Sequence, residues 1–371
     1  MREFQFTIVF LMALMSLSLL VLMPKQVANH PIANRSRLLF AAAFILIGLQ
    51  FLIQYIGDYR SHDITIAVMI NFAFFIPCAA MLNASMLNLQ RQGRLTMFEK
   101  WIFLPLWVLV ISLVLLAYIY NNHPTDGSWS RLLWAEVISS TIFTSLLIYF
   151  SILQYKELRR IQEVLDDYYD TKNDNLISWM TFSGVLFVLM GLLVPFLLFC
   201  PTWFLMIYGL IDFTGLFFLW FCFVRYIISG EAKSISEVEK SEVEMEEKMK
   251  MATKNKPILS EDNKKRIQSA VDRWIANEGF LNKGITSPEA AKEMQLPRYQ
   301  FTAWVKDAGY NSFSNWITSL RVNHAKELLL KHTDWSNEAI ADQCGISRSH
   351  FQKVFHELTG MTPAQFIASA K

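Results

Sequence analysis

Cysteine is scarce, at four in 371 residues. Cys78, Cys200 and Cys222 lie in or at the ends of apolar runs and Cys344 lies near the C-terminus. None has metal-ligand spacing, which excludes a disulfide framework or a zinc finger and leaves small buried core residues. No glycine-rich phosphate loop, metal-ligand cluster or nucleophile–base spacing is present, so the chain reads as a non-enzyme needing no cofactor. Charge is scarce too, at 18% of residues with a net of +2. Even the segment from Pro257 onward carries 14 Lys and Arg against 12 Asp and Glu. A protein that coats nucleic acid indiscriminately would be far more basic.

Nearly all of that charge follows Arg225 or sits in short segments between apolar stretches. Seven such stretches stand out: residues 4–23, 38–56, 64–89, 101–120, 132–155, 177–200 and 203–228. Each is near or above the roughly 20 residues that cross a bilayer as a helix. Lipid offers the backbone no hydrogen-bond partner, so helices are the expected form. Tyr55, Trp101, Tyr120, Trp179 and Trp203 at run ends fit an interfacial belt. Alternate connections carry Lys25, Arg35 and Arg37, then Arg91, Arg94 and Lys100, then Lys156, Arg159, Arg160 and Lys172. The opposite set has only Arg2, Arg60 and Arg131. The positive-inside bias puts the N-terminus outside the inner (cytoplasmic) membrane and, after seven crossings, the C-terminus in the cytoplasm. A cleaved signal peptide is not expected at the first run, whose basic region is one Arg and which no small-x-small site follows.

Polar residues inside the runs are the candidates for sensing a ligand or membrane signal. They are Asp212 deep in the last run, Glu136 in the fifth, Gln50 and Gln54 on one face of the second, and Asn71 in the third. An acid within a membrane is expensive unless paired or facing a cavity. A protonated packing residue is the competing reading of Asp212. The last run has no Lys, which disfavours a Schiff-base chromophore.

After Arg225 the composition turns to Glu and Lys. Ile235, Val238, Glu242, Met245, Met249 and Ala252 recur at alternating steps of three and four, a short coiled-coil seam with a flaw at Glu242. Two readings stand: the seventh apolar helix continues into it and pairs two copies through residues 235–252, or it is a short, mostly solvated helix, slightly favoured because only about three heptads are present. Residues 254–257 read as a break.

The remainder reads as helices. Ser287 is the expected N-cap of one, with Pro288 at its first position. Leu296-Pro297 make a turn into a second, in which Phe301, Trp304 and Val305 face inward and Arg298, Tyr299, Thr302 and Lys306 outward. An amphipathic helix over 312–331 follows. Then a second pair begins, with Ser336 and Ser347 at N-cap positions and Gly345 at the turn. Its second helix turns Phe351, Val354 and Phe355 inward, leaving Arg348, Ser349, Gln352, Lys353 and His356 outward. The candidate contacts are Arg348, Ser349, Gln352 and Lys353 with His350, whose alternative is a local cap or packing role. Two helix–turn–helix motifs on a rod of about 20 residues, roughly 30 Å long, suit successive major grooves. Arg suits phosphate or guanine, Gln adenine, and Lys phosphate.

Ile340-Ala341, Gly345, Phe351, Val354-Phe355 and Gly360-Met361-Thr362-Pro363 resemble the signature of AraC/XylS-type transcription regulators. The resemblance covers residues 259–370, and 312–331 resembles the family's linker helix, with Arg321 and Ala325 at its usual places. Two features depart from it: the stretch from Gly345 to Phe355 is one residue short, with Ile346 where Phe is usual, and Ile367 stands where Arg often follows the last aromatic. The resemblance implies sequence-specific binding of double-stranded promoter DNA.

The expected architecture is therefore all-α: a seven-transmembrane sensor over 1–228, a charged helical linker over 229–256, and a cytoplasmic AraC-type DNA-binding domain over 257–371. Two rivals remain. One is a transporter or membrane enzyme with a regulatory tail, and the other a tail that binds protein.

Overall fold

The computed structural model describes residues 2–58, 64–120, 130–171, 178–197, 200–253, 259–332 and 334–369. Arg60, Lys172 and the expected break at 254–257 lie outside them. The fold is all-α, with one isolated antiparallel bridge between Tyr169 and Thr286 among the described residues. The chain divides into two compact units, Met1–Arg159 with Asn175–Ser234, and Arg160–Asp174 with Ile235–Lys371.

In the first unit helices follow the apolar runs: α1 (Arg2–Val21), the short α2 (Lys25–Asn29), α3 (Pro31–Gly57), α4 (Ile64–Gln90), the short α5 (Met97–Trp101), α6 (Phe103–Tyr120), α7 (Ser130–Tyr168), α8 (Ser178–Leu197) and α9 (Thr202–Ile228). Among the described residues six helices are long and apolar enough to cross a membrane, and Ser178–Val194 is a shorter apolar helix. α1 packs on α3, α3 on α4, α4 on α6, and α8 on α9. Phe72, Ile76, Val110, Phe143, Leu146 and Phe150 form one buried cluster. The polarity of this unit is inverted relative to a water-soluble bundle. Phe6, Phe10, Val108, Leu116, Phe182 and Leu210 point outward, while Ser36, Gln50, Gln54, Ser85 and Asn88 are buried.

Inside, several of these polar groups bond to one another, as burial away from water favours. The Asn88 amide donates to the Ser36 hydroxyl at 2.8 Å, and Ser36 and Ser85 each donate to the other's backbone carbonyl.

α7 does not stop at the apolar boundary near Tyr155 but continues to Tyr168. Residues 156–168 contain no Gly or Pro to break it and alternate apolar with charged side chains. The expected continuation of the last apolar helix into the linker is corrected: α9 ends at Ile228, and Gly230 at φ +82° separates it from α10 (Glu231–Thr253). A left-handed residue cannot propagate an α-helix, so the two are separate rods.

The second unit joins the end of α7 and most of α10 to α11 (Glu261–Ala276), α12 (Ser287–Glu293), α13 (Arg298–Asp307), α14 (Phe313–Lys331), α15 (Asn337–Gln343), α16 (Arg348–Thr359) and α17 (Pro363–Ser369). It has two hydrophobic cores, and α14 serves both. Phe313, Trp316 and Ile317 enter the first, with Phe301 and Trp304 of α13 and Trp274 of α11, whose ring stacks on Trp316 at 5.6 Å. Val322, Ala325 and Leu329 enter the second, with Ile340, Phe351, Val354 and Phe355. Each aromatic so buried contributes about 1.5–3 kcal/mol. Two flanking cores explain why α14 is buried on more than one stripe, Ser314 and Arg321 included.

Candidate nucleic-acid interface

The two helix–turn–helix motifs repeat at a constant offset of 50 residues. Thr286 caps α12 and Ser336 caps α15. The expectation of Ser287 at the first cap is off by one. Glu289 lies three residues after Thr286 and accepts from its amide and hydroxyl, so the reciprocal capping box selects Thr286. That exchange pulls the Glu289 carboxyl below the usual range, the hydroxyl contributing most. Ser336 accepts from the Ala339 amide at 3.1 Å. Ser347 holds the N-cap position of α16 without a side-chain capping bond.

Each turn pivots on one left-handed residue, Gln295 at φ +56° in the first motif and Gly345 at φ +70° in the second. At Gly345 a methyl group would lie 3.0 Å from the Leu281 carbonyl oxygen and 3.3 Å from the Arg321 guanidinium, so both torsion and space require glycine.

The outward faces of α13 and α16 hold the nine expected DNA contacts, in two contrasting environments. On α16, Arg348, Ser349, Gln352 and Lys353 are exposed and His350 is half-buried. Arg348 makes a solvent-exposed pair with Glu338 at 3.0 Å, and Lys353 lies 4.0 Å from Glu357. Such pairs contribute little and give way readily to a phosphate.

On α13 Arg298 and Thr302 are covered, whereas Lys306 stays exposed. The Arg298 guanidinium donates to the Ser241 hydroxyl at 2.9 Å, pairs with Glu242, and lies over the Tyr168 ring at 5.2 Å. Thr302 is buried, its hydroxyl 3.5 Å from the Met245 sulfur. Lys306 pairs with Asp167 at 3.0 Å. Tyr299 is half-buried, its hydroxyl 3.4 Å from the Gln300 amide. Burial pushes the Glu242 carboxyl above the usual range, and the charge of Arg298 draws it only partly back.

Below these contacts sits Arg321, 1% exposed. It donates to the carbonyls of Phe280 and Asn282, both at 2.8 Å, and to the Asp170 carboxylate at 2.7 Å. The same Asp170 oxygen accepts from the Gly284 amide at 2.9 Å. Arg321 thus ties α14 to the loop before α12 and to the end of α7.

Sequence reasoning missed this acidic partner set, Asp167, Asp170 and Glu242, with Tyr168. Two signals were present: a Glu interrupting an otherwise apolar seam, and an Arg on the buried stripe of α14.

Of the sensing candidates, three come together. The Gln50 and Gln54 amides both donate to the Asn71 carbonyl oxygen, at 2.7 and 2.6 Å, joining α3 to α4. Glu136 is buried on α7 and Asp212 is half-buried on α9, and neither is hydrogen-bonded to that cluster. Among the described residues no group of acids, His and Cys is arranged to hold a metal.

Paired turn-and-helix units sharing one long helix, with Arg, Gln and Lys on the outward faces, define a DNA-binding module. The C-terminal part of the chain is an AraC-type helix–turn–helix domain. Residues 290–369 match the family model described as a helix-turn-helix domain. The chain is also 31% identical over 90 residues to Regulatory protein PocR of Salmonella typhimurium (strain LT2), a match covering 24% of this chain and 29% of that protein. The chain therefore spans under a third of the length of that curated relative. No solved structure matches it.

Proposed function

We propose that the chain is a transcription regulator embedded in the inner membrane, with residues 1–228 as sensor, 229–256 as linker and 257–371 as reader of double-stranded promoter DNA. The observation that carries this reading is the joining, in one chain, of an AraC-type domain to a helical unit with apolar side chains outside and amides inside. A contiguous apolar exterior of that size is unstable in water and suits lipid. The Lys and Arg bias of the connections supports an N-terminus outside and the reader in the cytoplasm, provided α8 counts as a crossing beside the six longer helices.

DNA contact falls to Arg298, Tyr299, Thr302 and Lys306 of α13 and to Arg348, Ser349, His350, Gln352 and Lys353 of α16. The Gln50–Gln54–Asn71 cluster, with Asp212 and Glu136, is the proposed place where a small ligand or membrane signal acts. Two copies pair through residues 235–252.

Two measurements test this. A tag fused after Lys371 should be digested only when vesicles expose the cytoplasmic side. The full-length chain in nanodiscs should select a duplex from a random pool, and Arg348→Ala with Gln352→Ala should weaken it about 10- to 100-fold. A tag reachable from outside intact cells, or affinity indifferent to both substitutions, refutes the reading.

A further inference from the structure

The two reading heads repeat at equivalent positions but differ in access. Arg348 and Gln352 of α16 face solvent, whereas their counterparts Arg298 and Thr302 of α13 are covered by Ser241, Glu242 and Met245 of α10 and by Tyr168 of α7. Lys306 is held by Asp167. The covering groups have the chemistry of the ligand they displace. Two carboxylates and a hydroxyl stand where phosphate oxygens would, on the side chains assigned to phosphate and base edges.

We propose that α10 and the last turns of α7 form a built-in inhibitor that shuts the first reading head by mimicking the DNA backbone, so that the structure is the half-open, weak-binding state of the regulator. This rests on the assignment of α13 as a DNA-contact helix.

Two further observations bear on it. The contact is incompletely satisfied: Arg298 Nε is buried without a hydrogen-bond partner, and Glu242 sits where burial opposes its charge. A clamp with an orphaned donor and a desolvated carboxylate is released at low cost, because both groups regain partners in water or on DNA. Both arms also connect covalently to apolar helices: α7 is continuous into its arm, and α10 follows α9 after the left-handed Gly230. The α10 face bearing Ile235, Val238, Glu242 and Met245 is the same seam that the three- and four-residue spacing assigns to a second copy. One face cannot cover α13 and pair with another chain at once, so pairing of two copies and opening of the head are one event.

The test uses the full-length chain in nanodiscs and a duplex selected from a random pool. Glu242→Gln with Asp167→Asn preserves size and one acceptor oxygen on each side chain while removing both carboxylate charges. The expected result is about tenfold tighter binding and a hydroxyl-radical footprint that grows from one major groove to two adjacent ones. A wild-type footprint already spanning two grooves, or one unchanged by the variant, overturns the proposal. A second measurement needs no DNA. Met245→Cys with Thr302→Cys, with Cys200→Ser and Cys222→Ser, should be joined within one chain by a short bis-maleimide, and the joined protein should keep the one-groove footprint. Failure to join means that the docked state is not populated and overturns the proposal. Efficient joining without DNA binding by any form instead removes the DNA reading itself.

Discussion

Replacing Asp170 by Ala removes the carboxylate paired with a guanidinium that is 1% exposed. Breaking a buried ion pair from one side costs about 3–5 kcal/mol, because the remaining charge stays desolvated. Arg321 retains the carbonyls of Phe280 and Asn282, which lowers the figure, while the Gly284 amide loses its acceptor, which raises it. The balance is about 2–3 kcal/mol, or roughly 30- to 150-fold in a local opening equilibrium. Hydrogen exchange of the full-length chain in nanodiscs reads this directly. The amides of residues 279–285 and those around Gly345 should lose protection by that factor, while the core of the first unit is unchanged. Arg321→Met alone should also be costly, because it leaves Asp170 buried without its cation. The double variant removes the whole pair and should be less perturbed than the sum of the singles. A change under about threefold in Asp170→Ala, or strict additivity in the double variant, would show that the pair does not hold α14 to the end of α7.

Gly345→Ala combines a left-handed φ with a methyl 3.0 Å from a backbone oxygen and should destabilise the second unit by about 1–3 kcal/mol in thermal melts. Gly360→Ala, at φ +74° in open space, should cost only about 1 kcal/mol, and equal losses would refute the steric part. Thr286→Val should cost about 1 kcal/mol at neutral pH by removing the capping box. The folded pKa of Glu289 is depressed, so its share of that stability is present above the unfolded glutamate value and lost as pH falls through the folded one. The gap between wild type and Thr286→Val should accordingly narrow in acid, and a gap that widens refutes the assignment. Burial pushes the Cys344 thiol up to about 12, against a small opposing pull from Arg321. Iodoacetamide at pH 8 should therefore leave Cys344 unmodified until denaturant is added, as peptide mapping would show.

Local chemistry was legible where one residue decides the outcome within a few positions. Gly345 forced a turn, Ser336 capped a helix, and Phe351, Val354 and Phe355 marked a buried face, because torsion, capping and helical period act over one or two turns. The same short range explains the miss at Ser287. Two adjacent hydroxyl residues both qualify as caps, and only the reach of Glu289 to Thr286 separates them. The apolar run ends at Tyr155, but loss of hydropathy does not mark where a helix ends. A charged helix with no breaker continues wherever its side chains find partners, and Asp167 and Asp170 found them on residues more than a hundred positions away.

By itself the sequence determined what periodicity and turn residues control: long apolar helices, two equivalent turn-and-helix motifs and the identity of their outward side chains. The tertiary structure alone decided which of those side chains are available. Arg298 and Arg348 occupy equivalent places in equivalent motifs, yet one is sealed under Glu242 and Tyr168 and the other is open to solvent. Charge pairing between distant segments depends on where the chain brings them, and no local pattern of residues encodes that distance.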